Sequence, residues 1–353
     1  MPKWIGNRFG DIVPIAPDQD APSGIYNMFD QYYSKQDNGW VTPVSMTGGT
    51  AFGPVTIDGA ERMVCRFRSP GTLTITAGDA PTARILVVGG GGAGGSFQPG
   101  AYGGGGGGGG GVRYIPSISL PAGTYPISVG DGGTGGNSYE SPGNGGTPAQ
   151  PKGGGTSSIF NPGHANSVPA ITATGGGAGG VGGTAGKPGG SGGGASYPGG
   201  GGDGAAGGAE PRANPTSEGN PSSNNKSSLS NGSYGCGGGG GANPTHPNTG
   251  YQTGNPGLPL PGVGSPGDPW LPPAGNVFGG GGGGSSYKET DGNGPGGPGG
   301  GGNAPGSDGV EYTGGGGGGI GSPTGISGDG GYGTVYVIVP KAEVTTANPG
   351  PGS

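Results

Sequence analysis

Chemistry at a nucleotide cofactor is the first possibility the residues raise. Val87-Val88 leads into Gly89-Gly90-Gly91-Gly92-Ala93-Gly94, a formal GxGxxG behind an apolar run. That fingerprint works only when a helix follows with its N-terminus facing the pyrophosphate, and with an acidic residue about 20 positions on. Here Ser96-Phe97-Gln98-Pro99-Gly100 follows, then the uninterrupted run Gly103–Gly111, and no acid stands at that distance. Gly186-Lys187 is followed by Pro188 rather than Ser or Thr, and Val181 occupies the place of the first P-loop glycine, so phosphate cradling fails as well. His164 and His246 are the only histidines, and neither has Cys, Asp or Glu at ligand spacing. Asp203, Glu210 and Glu218 lie in polar stretches that give no reason for acid–base work, and no Ser sits in a nucleophile elbow. Cys65 and Cys236 match no metal or disulfide framework and read as two free thiols. The sequence therefore predicts no enzyme, no cofactor and no metal.

What remains is contact chemistry. The insertion Arg212–Tyr234 is rich in Asn, Ser and Pro, and Asn243–Phe278 carries His246, Tyr251, Leu258, Leu260, Asp268, Trp270 and Leu271 among prolines. Rigid rings on proline-stiffened loops lose little entropy when they meet a partner. Tyr234, His246, Tyr251 and Trp270 are accordingly the candidates for contact with saccharides or outer-membrane loops. Trp270 and Leu271 would serve equally to cover the edge of a glycine body. A second aromatic set, Trp4, Phe9, Phe29, Tyr32, Tyr33 and Trp40, occupies residues 1–43. Ser23 could cap a short helix there, with Ile25, Phe29 and Tyr32 on one face and a stop near Asp37-Asn38-Gly39. So short a segment cannot bury those rings alone and must pack on the next domain, a sister chain or a docking partner.

The elements that position these residues are unusual. Of 353 residues 104 are Gly and 38 Pro, only 27% are hydrophobic and 10% charged, and the net charge is −6. Such a chain builds no ordinary helical core, and it lacks the basic footprint of a nucleic-acid binder. Proline and glycine at this level usually mean disorder, and collagen requires glycine at every third position, which the run Gly103–Gly111 breaks. Strand phrases bound the glycine runs instead. Gly71–Thr76 alternates as a strand with one wet face does, Arg84–Val88 is continuously apolar, and Thr334–Val339 forms a final buried strand. Ile118 and Leu120, then Tyr125, Ile127 and Val129, lie across the turn Pro121-Ala122-Gly123. A short β-prone phrase repeatedly leads into glycines, at Val88, Val129, Thr174, Cys236, Phe278 and Thr313, which suggests stacked units. A left-handed polyglycine-II helix, three residues per turn without internal hydrogen bonds, turns every N–H and C=O outward to seek neighbouring helices. Inside such a lattice no side chain fits, so Tyr102, Lys187 and Tyr197 should face outward or sit at turns. The expected fold is mainly β: a short N-terminal aromatic, helical anchor, then β-strands framing a bundle of polyglycine-II-type helices.

These phrases resemble the glycine-rich domain of phage tail-fibre and other virion structural proteins. The carrying residues are Phe67–Thr72, Ile85–Gly95, Gly111–Tyr114, Leu120–Tyr125, Ile171–Gly175 and Gly333–Pro340, spread over residues 62–340. The opening Trp4–Gly10, with Met28–Tyr33, is similar to the start of structural proteins of marine cyanophages. The resemblance implies an N-terminal attachment segment and an exposed glycine-rich part, and the family includes fibre-tip adhesins thought to present receptor-binding loops from a polyglycine body. This chain is longer than the compact adhesins and has the extra N-terminal segment.

The organisation expected is an attachment segment over 1–43, a β-strand region over 44–88, a glycine-rich helix-and-β domain over 89–340 and a tail over 341–353. Its expected partners are other virion proteins at the N-terminus and a host glycan or outer-membrane protein, with no nucleic acid. Fibres are often trimers, and no heptads here demand one. Without a signal peptide or an apolar span, the expected location is an exposed virion appendage released by lysis. A capsid or tail decoration that binds no host is the alternative, and a secreted glycine-rich matrix protein a weaker third.

Overall fold

The computed structural model describes residues 44–49, 51–57, 60–75, 82–98, 103–137, 151–155, 157–159, 170–197, 219, 222, 236–242, 268–271, 276–286, 293–340 and 344–348. The expected helix after Ser23, the N-terminal aromatic set, Tyr102, Tyr234, His246 and Tyr251 lie outside them. The described fold is mainly β, and it contains no helix among the described residues.

Two sheets carry the hydrophobic core. The first joins β13 (Val344–Asn348), β1 (Val44–Thr47), β4 (Gly71–Ile75), β7 (Gly123–Ser128), β8 (Ser157–Ile159) and β9 (Ile171–Ala173) in that order. The second joins β2 (Ala51–Ile57), β3 (Ala60–Phe67), β12 (Thr334–Pro340), β5 (Thr82–Val88) and β6 (Val112–Ser119). Only β1 and β13 pair in parallel; the other neighbours within these two sheets are antiparallel. A separate hairpin joins β10 (Asp268–Leu271) to β11 (Asn276–Phe278).

The side chains explain the layering. In β4 the alternation places Leu73 and Ile75 inward, while Thr72 is exposed. Tyr125 and Ile127 of β7 meet them across the register Leu73↔Tyr125. Ile85 and Val87 of β5, with Val335, Val337 and Val339 of β12, close the same core from the second sheet. The opposite faces of these two strands are apolar too. Leu86, Val88 and Ile338 form a second cluster with Val112, Ala242 and Phe278. The continuous apolar run in β5 is thus covered on both sides, as a doubly buried strand requires. The turn Pro121-Ala122-Gly123 does not make a hairpin: β6 stays with β5, while β7 crosses to β4. Tyr125 donates its hydroxyl proton to the Pro121 carbonyl and ties that corner down.

Every strand that meets a glycine run does so at one end of this sandwich. β5, β7, β9 and β11 run out into glycines, while β6, β8 and β12 begin where a run ends. Antiparallel pairing sets these strand ends side by side, as in Val88↔Val112, Thr334↔Val88 and Ser157↔Ala173. Buried Ser157 accepts the first glycine N–H after β7, from Gly130, at 2.8 Å. The glycines therefore form a body that continues the sandwich from one end.

Candidate functional site

Glycines 104–111 show how this body holds together. Gly104, Gly107 and Gly110 donate to Ile320, Gly317 and Gly314; Gly105, Gly108 and Gly111 donate to Gly180, Gly177 and Thr174; Gly106 and Gly109 donate to Gly237 and Gly240. Donation thus turns through three neighbouring segments with a period of three residues, at 2.7–3.1 Å. The carbonyls accept from three more segments in the same rhythm: Gly95, Gly92 and Gly89; Ser285 and Gly282; Gly194 and Ser191. Six neighbours satisfy one run that carries no side chain. The run Gly89–Gly95 has the same number, donating to segments at 105–111, 152–155 and 328–331 and accepting from 133, 176–179 and 317–320.

Close approach leaves no room for a Cβ. One built on Gly104, Gly107 or Gly110 would stand 1.9–2.1 Å from the carbonyl oxygens of Gly95, Gly92 and Gly89. The α-hydrogens therefore point at neighbouring carbonyls, and weak C–H···O contacts accompany the N–H bonds. Where a polar side chain does enter, it shares the backbone bonds: buried Ser285 Oγ accepts from Gly104 N, which also donates to Ile320 O, and donates to Gly104 O, which also accepts from Ser285 N, both Oγ contacts being 3.0 Å. Cys236 is buried near this point, and burial pushes its thiol up to about 12, although bonds to Tyr197 and Ser285 pull the other way. Cys65 is buried in the sandwich core and likewise raised to about 12 by burial. Both are free thiols.

Side chains return at the rim. Asp131, Thr134 and Asn137 are exposed at every third position, as are Thr184 and Lys187, Pro295 and Pro298, and Ile326, Asp329 and Tyr332. The residues between them are buried or half-buried, except Ala185, which is exposed. Lys187 is exposed and Tyr197 sits in a turn, as the sequence leads one to expect. The phrase Tyr312-Thr313 is a turn and not a strand, with Tyr312 in the left-handed region at φ 61°.

The loops fall into two groups. Runs leaving the sandwich end at Ser96, Asn137, Val181, Ser196, Ser286 and Gly321, and bonds such as Ile320 N to Gly95 O, Gly105 N to Gly180 O and Cys236 N to Ser285 O gather the ends of these segments at the far end. Ala242, by contrast, bonds to Gly279 and packs with Val112 and Phe278 against the sandwich. Tyr197 and Cys236, which flank the insertion with Tyr234, thus stand at the far end, while Gly219 and Ser222 within it lie along the 190–193 segment, Ser222 Oγ donating to Gly193 O. Ala242 and Phe278, which flank the insertion with His246, Tyr251 and Trp270, stand at the sandwich end. Trp270 lies in β10, paired with β11. The described residues that flank the two insertions are thus at opposite ends of the body, which no composition-based reading could reveal.

After Val88 the formal dinucleotide fingerprint continues as a glycine segment, and among the described residues no helix follows it. Among the described residues no group of three or more His, Cys, Asp or Glu is placed to hold a metal, and no helix is long and apolar enough to cross a membrane. Residues 68–340 match a family described as a glycine-rich domain, well over half of the chain, and the chain belongs to that family. No curated protein matches it.

Proposed function

We propose that this chain is a structural protein of a bacteriophage virion, a tail fibre or tip adhesin that contacts the host surface. One observation carries the reading: loops gather at the far end of a densely bonded glycine body, remote from the sandwich. A rigid stem that ends in variable-length loops is how a scaffold presents recognition residues. The strand phrases that resemble phage virion proteins supply the context. On this reading the glycine segments are polyglycine-II helices, and the threefold rotation of their donors and acceptors supports that assignment.

Residues 1–43, with Trp4, Phe9, Phe29, Tyr32, Tyr33 and Trp40, attach the protein to other virion proteins. Tyr234 is the first receptor-contact candidate, because Cys236, two residues on, stands where the far-end segments gather; Trp270 lies in the β10–β11 hairpin, and His246 and Tyr251 are the remaining candidates. The partner is a host glycan or outer-membrane protein. The test is whether purified full-length protein binds host cells saturably and blocks phage adsorption. Binding with blockade is expected. Folded protein that does neither is a non-adhesive decoration, and the adhesin reading is then wrong. Removal of residues 1–43 should abolish incorporation into particles while the body stays folded.

A further inference from the structure

The large hydrophobic side chains exposed among the described residues are Val310, Ile326 and Tyr332, at 57%, 61% and 41%. Val310 and Tyr332 lie on adjacent rim segments, because Gly309 N bonds to Asp329 O and a Cβ on Gly331 would meet the Val310 carbonyl, whereas Ile326 stands farther along, toward the far end, where it bridges to Asn137. Beside them the rings of Tyr312 and Tyr332 stack at 5.9 Å with 25° between planes, and the Arg68 guanidinium lies 4.7 Å from the Tyr312 centroid. Tyr312 reaches this stack from φ 61°, the single non-glycine residue described with a left-handed backbone. Such strain persists only where the surroundings impose it, and it clusters at binding sites. Two carboxylates flank the patch. Asp329 Oδ1 accepts from Gly135 N, and Asp308 Oδ1 accepts from Asp329 N. Each thereby commits one oxygen to fixing its position and keeps a second to accept a hydroxyl. Exposed Thr134 stands on the neighbouring rim segment.

We infer that this face, centred on Tyr332 beside the sandwich and apart from the far-end loops, is a binding site for a neutral saccharide; the inference rests on the host-contact reading above. A sugar ring lays its C–H face on the electron-rich face of an aromatic ring, while its hydroxyls donate to carboxylates. A pre-stacked Tyr312 and a fixed Asp329 hold the platform without cost on binding. A polyanion such as nucleic acid is disfavoured by Asp131, Asp308, Glu311 and Asp329, which outnumber Arg68 and Lys152.

The experiment uses the full-length protein on an array of immobilised neutral oligosaccharides, with host-cell adsorption competition run in parallel. Saturable binding to an array member is expected. It should weaken roughly five- to tenfold in Tyr332→Ala and persist in Tyr332→Phe. Val310→Arg sets a long charged side chain at an exposed position on the adjacent rim segment and should also weaken binding without lowering the melting temperature. Absence of binding to any array member overturns the inference, as does unchanged binding in Tyr332→Ala and Val310→Arg. If wild type and Tyr332→Ala block adsorption equally, the site is wrong and the adhesin reading stands. If the wild type binds the array but not host cells, the site stands and the adhesin reading falls.

Discussion

A methyl group on Gly107 would stand 2.1 Å from the carbonyl oxygen of Gly92, and its three nearest atoms are all backbone. No rotamer change relieves such a clash; whole segments would have to separate, breaking bonds to six neighbours. Gly107→Val should therefore cost about 3 kcal/mol, the upper end of overpacking. Thr134→Val, at an exposed rim position, should stay within about 0.5 kcal/mol. Thermal melts of the two variants check both, and an unchanged melt for Gly107→Val would remove the lattice at that site. The thiols give a pH signature. Both rise from 9.0 to about 12 in the folded protein because burial disfavours the thiolate. Their stabilising contribution is complete below about 9 and is lost as pH climbs toward 12, where only the unfolded chain ionises freely. The melting temperature should fall across that window, and less so in Cys65→Ala/Cys236→Ala. A thiol reagent at neutral pH should label the native protein only after denaturant is added.

Among the elements, β5 and β12 bear the most, since each buries both faces. Phe278 closes the outer of these two cores, edge-on to Tyr336 at 5.9 Å. Phe278→Ala should cost about 3–5 kcal/mol in denaturant melts, much as an interior truncation does, although the residue lies beyond the sandwich proper. Much of this was legible beforehand. The alternation in Gly71–Ile75 and the apolar runs in Thr82–Val88 and Thr334–Pro340 each carry their burial in their side chains. Unbroken glycine in 104–111 likewise marks a run enclosed on all sides, while a side chain at every third position, as in Ile326, Asp329 and Tyr332, marks the rim. Pairing was not legible. Nothing local tells β7 to join β4 instead of returning on β6, because the choice depends on which sheet still has an open edge. Tyr312-Thr313 looked like a strand because its residue types favour one, yet the close packing of glycine segments on both sides of it demands a tight reversal. The Tyr312–Tyr332 platform was equally hidden, since residues 20 apart meet only through the folding of the runs between them.

At the level of the whole molecule, the central strand of the second sheet arrives late in the sequence. β12 inserts between β3 and β5, and Thr334 Oγ1 donates to Phe67 O at 2.9 Å across 267 residues. The sheet cannot close until everything between has folded back, so this is a topology of slow, long-range closure. A chain truncated after Gly333 should fail to fold, visible as loss of a cooperative thermal transition. A truncated chain that still melted cooperatively would show that the glycine body stands without the sandwich. That body has a further property, which follows from its being filled with peptide groups instead of hydrocarbon. Unfolding it exposes mainly polar surface, whose hydration lowers the heat capacity, whereas apolar surface raises it. Calorimetry should therefore give a heat-capacity increment well under the usual roughly 12–15 cal/mol/K per residue. The stability curve would then be shallow, so that the protein keeps much the same margin in cold water as in warm.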